Sequence, residues 1–262
     1  MALQTSAETQ FYWEEHGAGD PLVLISGYAA NHAFWTPLLE PLAQHFRVIL
    51  FDNPGMGDTF DKGGPLTIRD MAHRISAFLT DIDVSRAHVV GHSMGGSLAI
   101  CLAALHPKRV RKLVLMNSYS RLRPLSRHVL TNLLNLRLAD VKLFTLLNAM
   151  IPWFFSNDSI RNGKRPAELV DFFVKNQNLQ SLSNQSRQLD AAMAFDAKDW
   201  LSDITAKTLI IAGEEDLLAP IEDSICLHES IEGAELLSFT AAHNMPQELP
   251  KEISNALLKF LR

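Results

Sequence analysis

The chain has 262 residues, 47% of them hydrophobic and 20% charged, with a formal net charge of −5. That length accommodates one large α/β domain with a small insert, and a composition near the average for soluble proteins excludes a disordered chain and a membrane class. An acidic balance with no basic stripe argues against nucleic acid or an anionic membrane as partner and leaves a small-molecule substrate. Residues 1–15 show no basic segment followed by an apolar core, and no apolar run reaches bilayer length, so a soluble cytoplasmic protein, monomer or homodimer, is expected. Cys101 and Cys226 are too few for a disulfide framework and are read as structural.

In chain order, residues 10–14 form an early strand, and the turn residues His16 to Pro21 are expected to close a hairpin. Leu22-Val23-Leu24-Ile25 is a continuous apolar run, as a strand buried on both faces of a parallel sheet requires. The loop Ser26-Gly27-Tyr28 follows at the end of the sheet where ligand-contacting groups gather, and the Tyr28 backbone N–H is a candidate oxyanion donor; a plain strand-to-helix loop is the alternative. A helix over 33–46 and a buried strand over 47–51 establish a βαβ rhythm, then a Gly/Pro loop over 52–58 leads to a helix over 67–82. Asp52 in that loop is read as a turn cap.

The β-branched pair Val89-Val90 meets Gly91-His92-Ser93-Met94-Gly95, and small helix-forming residues follow at once. This G-x-S-x-G pattern is a nucleophile elbow: glycines two positions to either side let strand and helix approach, and the serine hydroxyl is thrust out of the turn. The helix opening at Met94 aims free N–H groups at the place where an oxyanion would form, which makes the Met94 N–H the second candidate donor. His92 is read as facing away and packing against the sheet.

A strand over 113–117 follows, and from 119 to 200 no strand is expected. The segment reads as a helical lid inserted into a core of 1–118 and 201–262, and its apolar stripe offers Phe144, Leu147, Trp153 and Phe154 as candidates to line an acyl pocket. Most of such a stripe packs an insert onto its body. Arg121, Arg123, Arg127, Arg137, Arg161, Lys164 and Arg165 form a basic cluster that could meet an acidic acyl carrier protein, with solvated helix faces as the alternative.

The strand over 207–213 ends in a loop bearing Glu214, Glu215 and Asp216, of which Asp216 lies farthest past the strand end; Glu214 and Glu215 are read as solvated. A last strand over 234–239 leads to His243 in a loop, then to a terminal amphipathic helix. Ser93, Asp216 and His243 thus occur in the order of a nucleophile, an orienting acid and a general base. A neutral His243 would take the serine proton and return it to the leaving group, while Asp216 holds the imidazole in the required tautomer.

With G-H-S-M-G-G at 91–96, G-E-E-D-L-L-A-P at 213–220 and A-H-N-M-P-Q-E-L-P at 242–250, the chain resembles the α/β-hydrolase superfamily over nearly its whole length. The D-N-P-G-M-G loop and the L-T-I-R-D-M-A after it are similar to those of the pimeloyl-carrier-protein methyl ester esterases. The resemblance implies a mostly parallel sheet flanked by helices and a Ser93–His243–Asp216 triad, while the sequence has no phosphate-loop, paired metal-ligand or dinucleotide motif, so no metal or cofactor is expected. A serine in place of an aspartate nucleophile argues against haloalkane dehalogenase and epoxide hydrolase chemistry. The expected activity is hydrolysis of carboxylic esters of small or medium acyl chain through an acyl-enzyme on Ser93. A lactonase, a carrier-protein methyl ester esterase, or a non-hydrolytic ligand-binding protein on the same scaffold are the alternatives.

Overall fold

The computed structural model describes residues 2–6, 9–164, 166–168, 170–171 and 180–262. Its strands are β1 (Ala2–Ser6), β2 (Thr9–His16), β3 (Asp20–Ile25), β4 (Phe46–Phe51), β5 (Phe60–Asp61), β6 (Ala87–His92), β7 (Val110–Met116), β8 (Lys207–Gly213) and β9 (Glu235–Phe239). They form one sheet in the order β1-β2-β4-β3-β6-β7-β8-β9, with β5 paired to β2 off that path. From β4 to β9 every pairing is parallel, whereas β1, β2 and β5 join antiparallel.

The continuous apolar runs exist because the parallel strands bury both faces. Val23 and Ile25 enter one core with Leu113 and Leu115, and Leu22 and Leu24 enter the other with Val114 and Met116. Helices α1 (Thr36–Ala43) and the C-terminal Pro250–Leu261 cover the second core through Leu38, Leu42, Ile253 and Leu257. Helices α2 (Ile68–Asp81) and α3 (Met94–Leu105) cover the first through Met71, Ile75, Phe78 and Leu98.

The expected hairpin at His16 to Pro21 does not form. Instead β4 lies between β2 and β3, antiparallel to one and parallel to the other. Gly17, at φ +76, carries the chain over the end of α1, where a Cβ would stand 2.1 Å from the Ala43 carbonyl oxygen, so the turn is spent on crossing the helix.

Between β7 and β8 the chain forms α4 (Pro124–Leu138), α5 (Leu143–Phe154), α6 (Asn157–Asn162) and α7 (Leu182–Ala194). The two ends of this excursion meet: the Ala197 N–H donates to the Ser120 carbonyl at 2.9 Å, and Arg121 bridges to Asp196. After β8 come α8 (Ile221–Ser230) and the short α9 (Met245–Glu248), and the C-terminal helix is α10. Among the described residues no helix is long and apolar enough to cross a membrane.

Candidate active site

Ser93 caps α3 with φ 54 and ψ −123, a conformation that L residues adopt only where the surroundings impose it. The imposing neighbours are the glycines. A Cβ on Gly91 would lie 2.3 Å from the Gly95 carbonyl oxygen, and one on Gly95 would lie 2.1 Å from that of Ile25. Both obstacles are backbone and cannot rotate away. Gly95→Ala is therefore expected to destabilise the fold by about 3 kcal/mol or more, and an unfolding midpoint unchanged in urea would refute this account of the turn.

His243, 150 positions along the chain from that serine, and Asp216, 27 positions before the histidine, converge on it. The His243 ring stands between the other two side chains, with Nε2 3.0 Å from Ser93 Oγ and Nδ1 2.7 Å from Asp216 Oδ2. A carboxylate only accepts, so Nδ1 carries the proton and Nε2 offers a lone pair to the serine hydroxyl. Asp216 is fixed in turn because its Oδ1 accepts the N–H groups of Leu218 at 2.8 Å and Ala219 at 2.9 Å. Asp216 and His243 are buried, while Ser93 remains partly exposed. The arrangement can pass a proton from Ser93 to His243 and stabilise the imidazolium that results.

The Tyr28 and Met94 N–H groups have no hydrogen-bond acceptor among the described residues. Gly27, just before Tyr28, lies against Ser93: a Cβ built there would be 3.1 Å from the serine Cβ. Both donors are thus free, one opening α3 and the other beside the serine.

Three contacts lie beyond what sequence patterns reveal. His92 does not face away: its Nε2 donates to the His243 carbonyl at 2.8 Å and its ring stands 4.8 Å from the His243 ring. Full burial keeps His92 neutral, with its pKa well below the usual imidazole value. Asn117, buried just after β7, donates from Nδ2 to the carbonyls of Ala242 at 2.8 Å and His243 at 3.2 Å, and its Oδ1 accepts the Gly213 N–H at 2.9 Å. Glu248 accepts from the Ala242 N–H, the Ser156 N–H and the Ser159 hydroxyl, joining the turn after α5 to the His243 loop. Nor are the loop glutamates merely solvated, since Glu214 accepts from the Ser238 and Thr240 hydroxyls and Glu215 from the Asn157 N–H. Asp52 is a buried cap, accepting from the N–H groups of His32 and Asp58.

A cavity of about 400 Å³ opens over Ser93 and His243. Leu147, Met150, Ile151 and Phe154 line it from α5, at the i, i+3, i+4, i+7 spacing of one helical stripe, and Phe154 meets the His243 ring edge-on at 5.5 Å. Two expected lining residues are elsewhere. Trp153 stands about 100° around the helix from Phe154 and packs with Val129, Leu133, Leu146 and Leu218, while Phe144, in the first turn of α5, is 63% exposed. No Asp, Glu, Lys or Arg is among the described residues lining the main cavity.

The basic cluster is mostly solvated, with Arg121, Arg161 and Lys164 largely exposed and only loosely paired. Arg121 pairs with Asp196, Arg123 with Asp223, Arg161 with Asp158 and Lys164 with Glu168, while Arg127 donates to the Leu122 carbonyl. Arg165 lies outside the described residues. Cys101 is buried, which pushes its thiol up to about 12, and Cys226 is exposed. Among the described residues no group of three or more His, Cys, Asp or Glu side chains is placed to hold a metal ion.

A parallel sheet with a strained serine between strand and helix, and acid and histidine loops at the same edge, defines an α/β hydrolase architecture. Residues 20–248 match the alpha/beta hydrolase fold family, and the chain belongs to that family. Among its relatives is a protein of Azorhizobium caulinodans named "Putative carbamate hydrolase RutD", 30% identical over 266 residues that cover 99% of this chain and 98% of the relative. Similar solved structures include the enol-lactonase from Burkholderia xenovorans LB400, with a TM-score of 0.86 and 25% identity over 98% of each chain. Another is Est816, described as an N-acyl homoserine lactone degrading enzyme, with a TM-score of 0.80 and 27% identity over 98% of this chain and 99% of that one.

Proposed function

We propose that the protein is a serine hydrolase that cleaves uncharged carboxylic esters of small or medium acyl chain. The observation that carries this reading is the Ser93–His243–Asp216 hydrogen-bond chain opening into a cavity whose described lining holds no charged carboxylate, ammonium or guanidinium. Ser93 Oγ attacks the ester carbonyl as His243 Nε2 takes its proton, the Tyr28 and Met94 N–H groups receive the oxyanion, and His243 then protonates the departing alkoxide. Water, activated by the same nitrogen, hydrolyses the acyl-enzyme. The helical segment over 119–200 serves as the lid, with Leu147 and Phe154 against the acyl chain.

A free carbamate anion would place its charge at the reacting carbon, beside Ser93, where the main cavity supplies no cation to offset desolvation. An uncharged ester meets no such cost. A lactone is an internal ester and can be opened by the same steps, and the two lactone-degrading enzymes among the similar structures favour it as a second reading.

Chain length tests the cavity. Each methylene buried contributes about 0.8 kcal/mol, or roughly fourfold in kcat/KM, and 400 Å³ holds roughly a dozen groups the size of a water molecule. Across p-nitrophenyl esters from acetate to palmitate, kcat/KM is expected to climb to hexanoate or octanoate and then drop sharply. Undiminished activity at palmitate, or a jump on adding micelles, would refute the closed acyl pocket; cleavage of carbamate but no ester would refute the substrate class.

A further inference from the structure

A second cavity of about 90 Å³ adjoins the first, since Ala29, Leu133, Leu147, Met150 and Gln185 line both. It differs in one respect: the Arg137 side chain reaches into its wall. Arg137 lies in the last turn of α4, half-buried, and donates to the Gln185 side-chain oxygen and, at 2.9 Å, to the Gln180 carbonyl. Both acceptors are neutral. No carboxylate pairs with Arg137 among the described residues, and the same holds for Arg127, whereas Arg121, Arg123 and Arg161 each have one. Two of the five guanidinium N–H donors are used, and the remaining three have no acceptor among the described residues.

A half-buried arginine given only neutral acceptors keeps part of its cost of desolvation, and burial moves its pKa below the ordinary guanidinium value. Gln180 in the same wall is 5% exposed and turns its Nε2 away to the Gly55 carbonyl at 2.6 Å, so Arg137 supplies the donors there. The side cavity therefore offers a cation at the end of a path from Ser93 whose shared wall is mostly apolar, with Asn31 and Gln185 as its polar members.

We propose that this side cavity is a carboxylate subsite, in which Arg137 binds an anionic group at the far end of the acyl chain whose ester lies at Ser93. The substrate class is then a half-ester of a dicarboxylic acid, or a lactone bearing a distal carboxylate: neutral at the reacting carbonyl, apolar in the middle and anionic at the tip. This rests on the ester-hydrolase reading for the chemistry, whereas the subsite itself rests on Arg137 and its surroundings.

The test compares mono-p-nitrophenyl esters of glutaric, adipic and suberic acids with p-nitrophenyl alkanoates of equal chain length. At the length that spans the two cavities, the half-ester is expected to have the higher kcat/KM by about tenfold to a hundredfold, the yield of a charge-assisted hydrogen bond. Arg137→Gln should bring that ratio to one or below, and Arg137→Lys should keep part of it, because the charge remains while the planar fork is lost. Binding is measured separately, with monomethyl adipate against methyl hexanoate on the Ser93→Ala protein by calorimetry, where the half-ester should bind at least about tenfold more tightly. Equal ratios in wild type and Arg137→Gln, or no preference in binding by the wild-type side cavity, overturn the subsite. Half-ester binding that depends on Arg137, without turnover of any ester, upholds the subsite and overturns the ester-hydrolase reading; ester cleavage with no preference does the reverse.

Discussion

Replacing Ser93 with alanine is expected to lower kcat for p-nitrophenyl butyrate by roughly 10⁴ to 10⁶, the scale on which removal of an activated nucleophile acts. The hydroxyl has one role in the structure, its 3.0 Å hydrogen bond to His243 Nε2. Alanine keeps the Cβ and therefore the same backbone strain at φ 54. The thermal midpoint should consequently shift by no more than about 1 kcal/mol warrants. A fluorophosphonate separates the ester-hydrolase reading from a ligand-binding protein on the same scaffold, because stoichiometric phosphonylation needs a serine whose proton can leave to a base. Rapid labelling of wild type and none of Ser93→Ala, read by intact mass, is the expected pair of results. Wild-type turnover in the alanine variant would sink the assignment of the nucleophile, and a wild-type protein that neither labels nor cleaves would favour the binder.

Local pattern carried much of this architecture. The runs expected at 22–25, 47–51 and 207–213 lie in strands, and that at 113–117 does so up to Met116, since a strand buried on both faces has nothing to alternate with. β1 escaped because Ala-Leu-Gln-Thr-Ser has no such run, and β5 because two residues have no period. The misplaced hairpin has a different cause: turn residues show that the chain reverses, but only the insertion of β4 decides which strand it pairs with. Ser93, Asp216 and His243 were readable from motif and order. His92, Asn117 and Glu248 were not, because each has a partner far along the chain, Ser156 in the case of Glu248, and nothing local marks a histidine that holds another histidine's carbonyl. In α5 the composition was legible and the phase was not, which is why Leu147 and Phe154 line the cavity while Phe144 and Trp153 do not.

The same long-range contacts join the helical excursion between β7 and β8 to the loops that carry His243 and Asp216. The Asn244 N–H donates to the Phe154 carbonyl at 2.8 Å, Glu248 grips Ser156 and Ser159, and Glu215 accepts from Asn157. The last turn of α5 and the first of α6 therefore cannot move far without disturbing the His243 loop. Asn117 and His92 hold that loop from the opposite side.

Asp216→Asn is expected to cost nearly as much as loss of the serine, about 10⁴ in kcat, although it removes a single charge and no volume. The amide can sit in two ways. With its nitrogen toward Leu218 and Ala219, it would face two N–H donors that now bond to Oδ1, leaving them unmet in a buried site at roughly 1–3 kcal/mol each. With its oxygen there, both bonds survive and its NH₂ faces His243 Nδ1, which must then accept. The second arrangement wins by several kcal/mol on that count. It moves the imidazole proton to Nε2, so the ring presents a donor to Ser93 Oγ where a lone pair is required, and no base remains to take the serine proton. Stability should stay near wild type because the turn at Leu218 and Ala219 keeps its acceptor, whereas Asp216→Ala loses both bonds and should destabilise as well. Steady-state rates on p-nitrophenyl butyrate beside urea unfolding of the two variants distinguish these effects. A loss of less than tenfold in Asp216→Asn would show that Asp216 does not set the His243 tautomer.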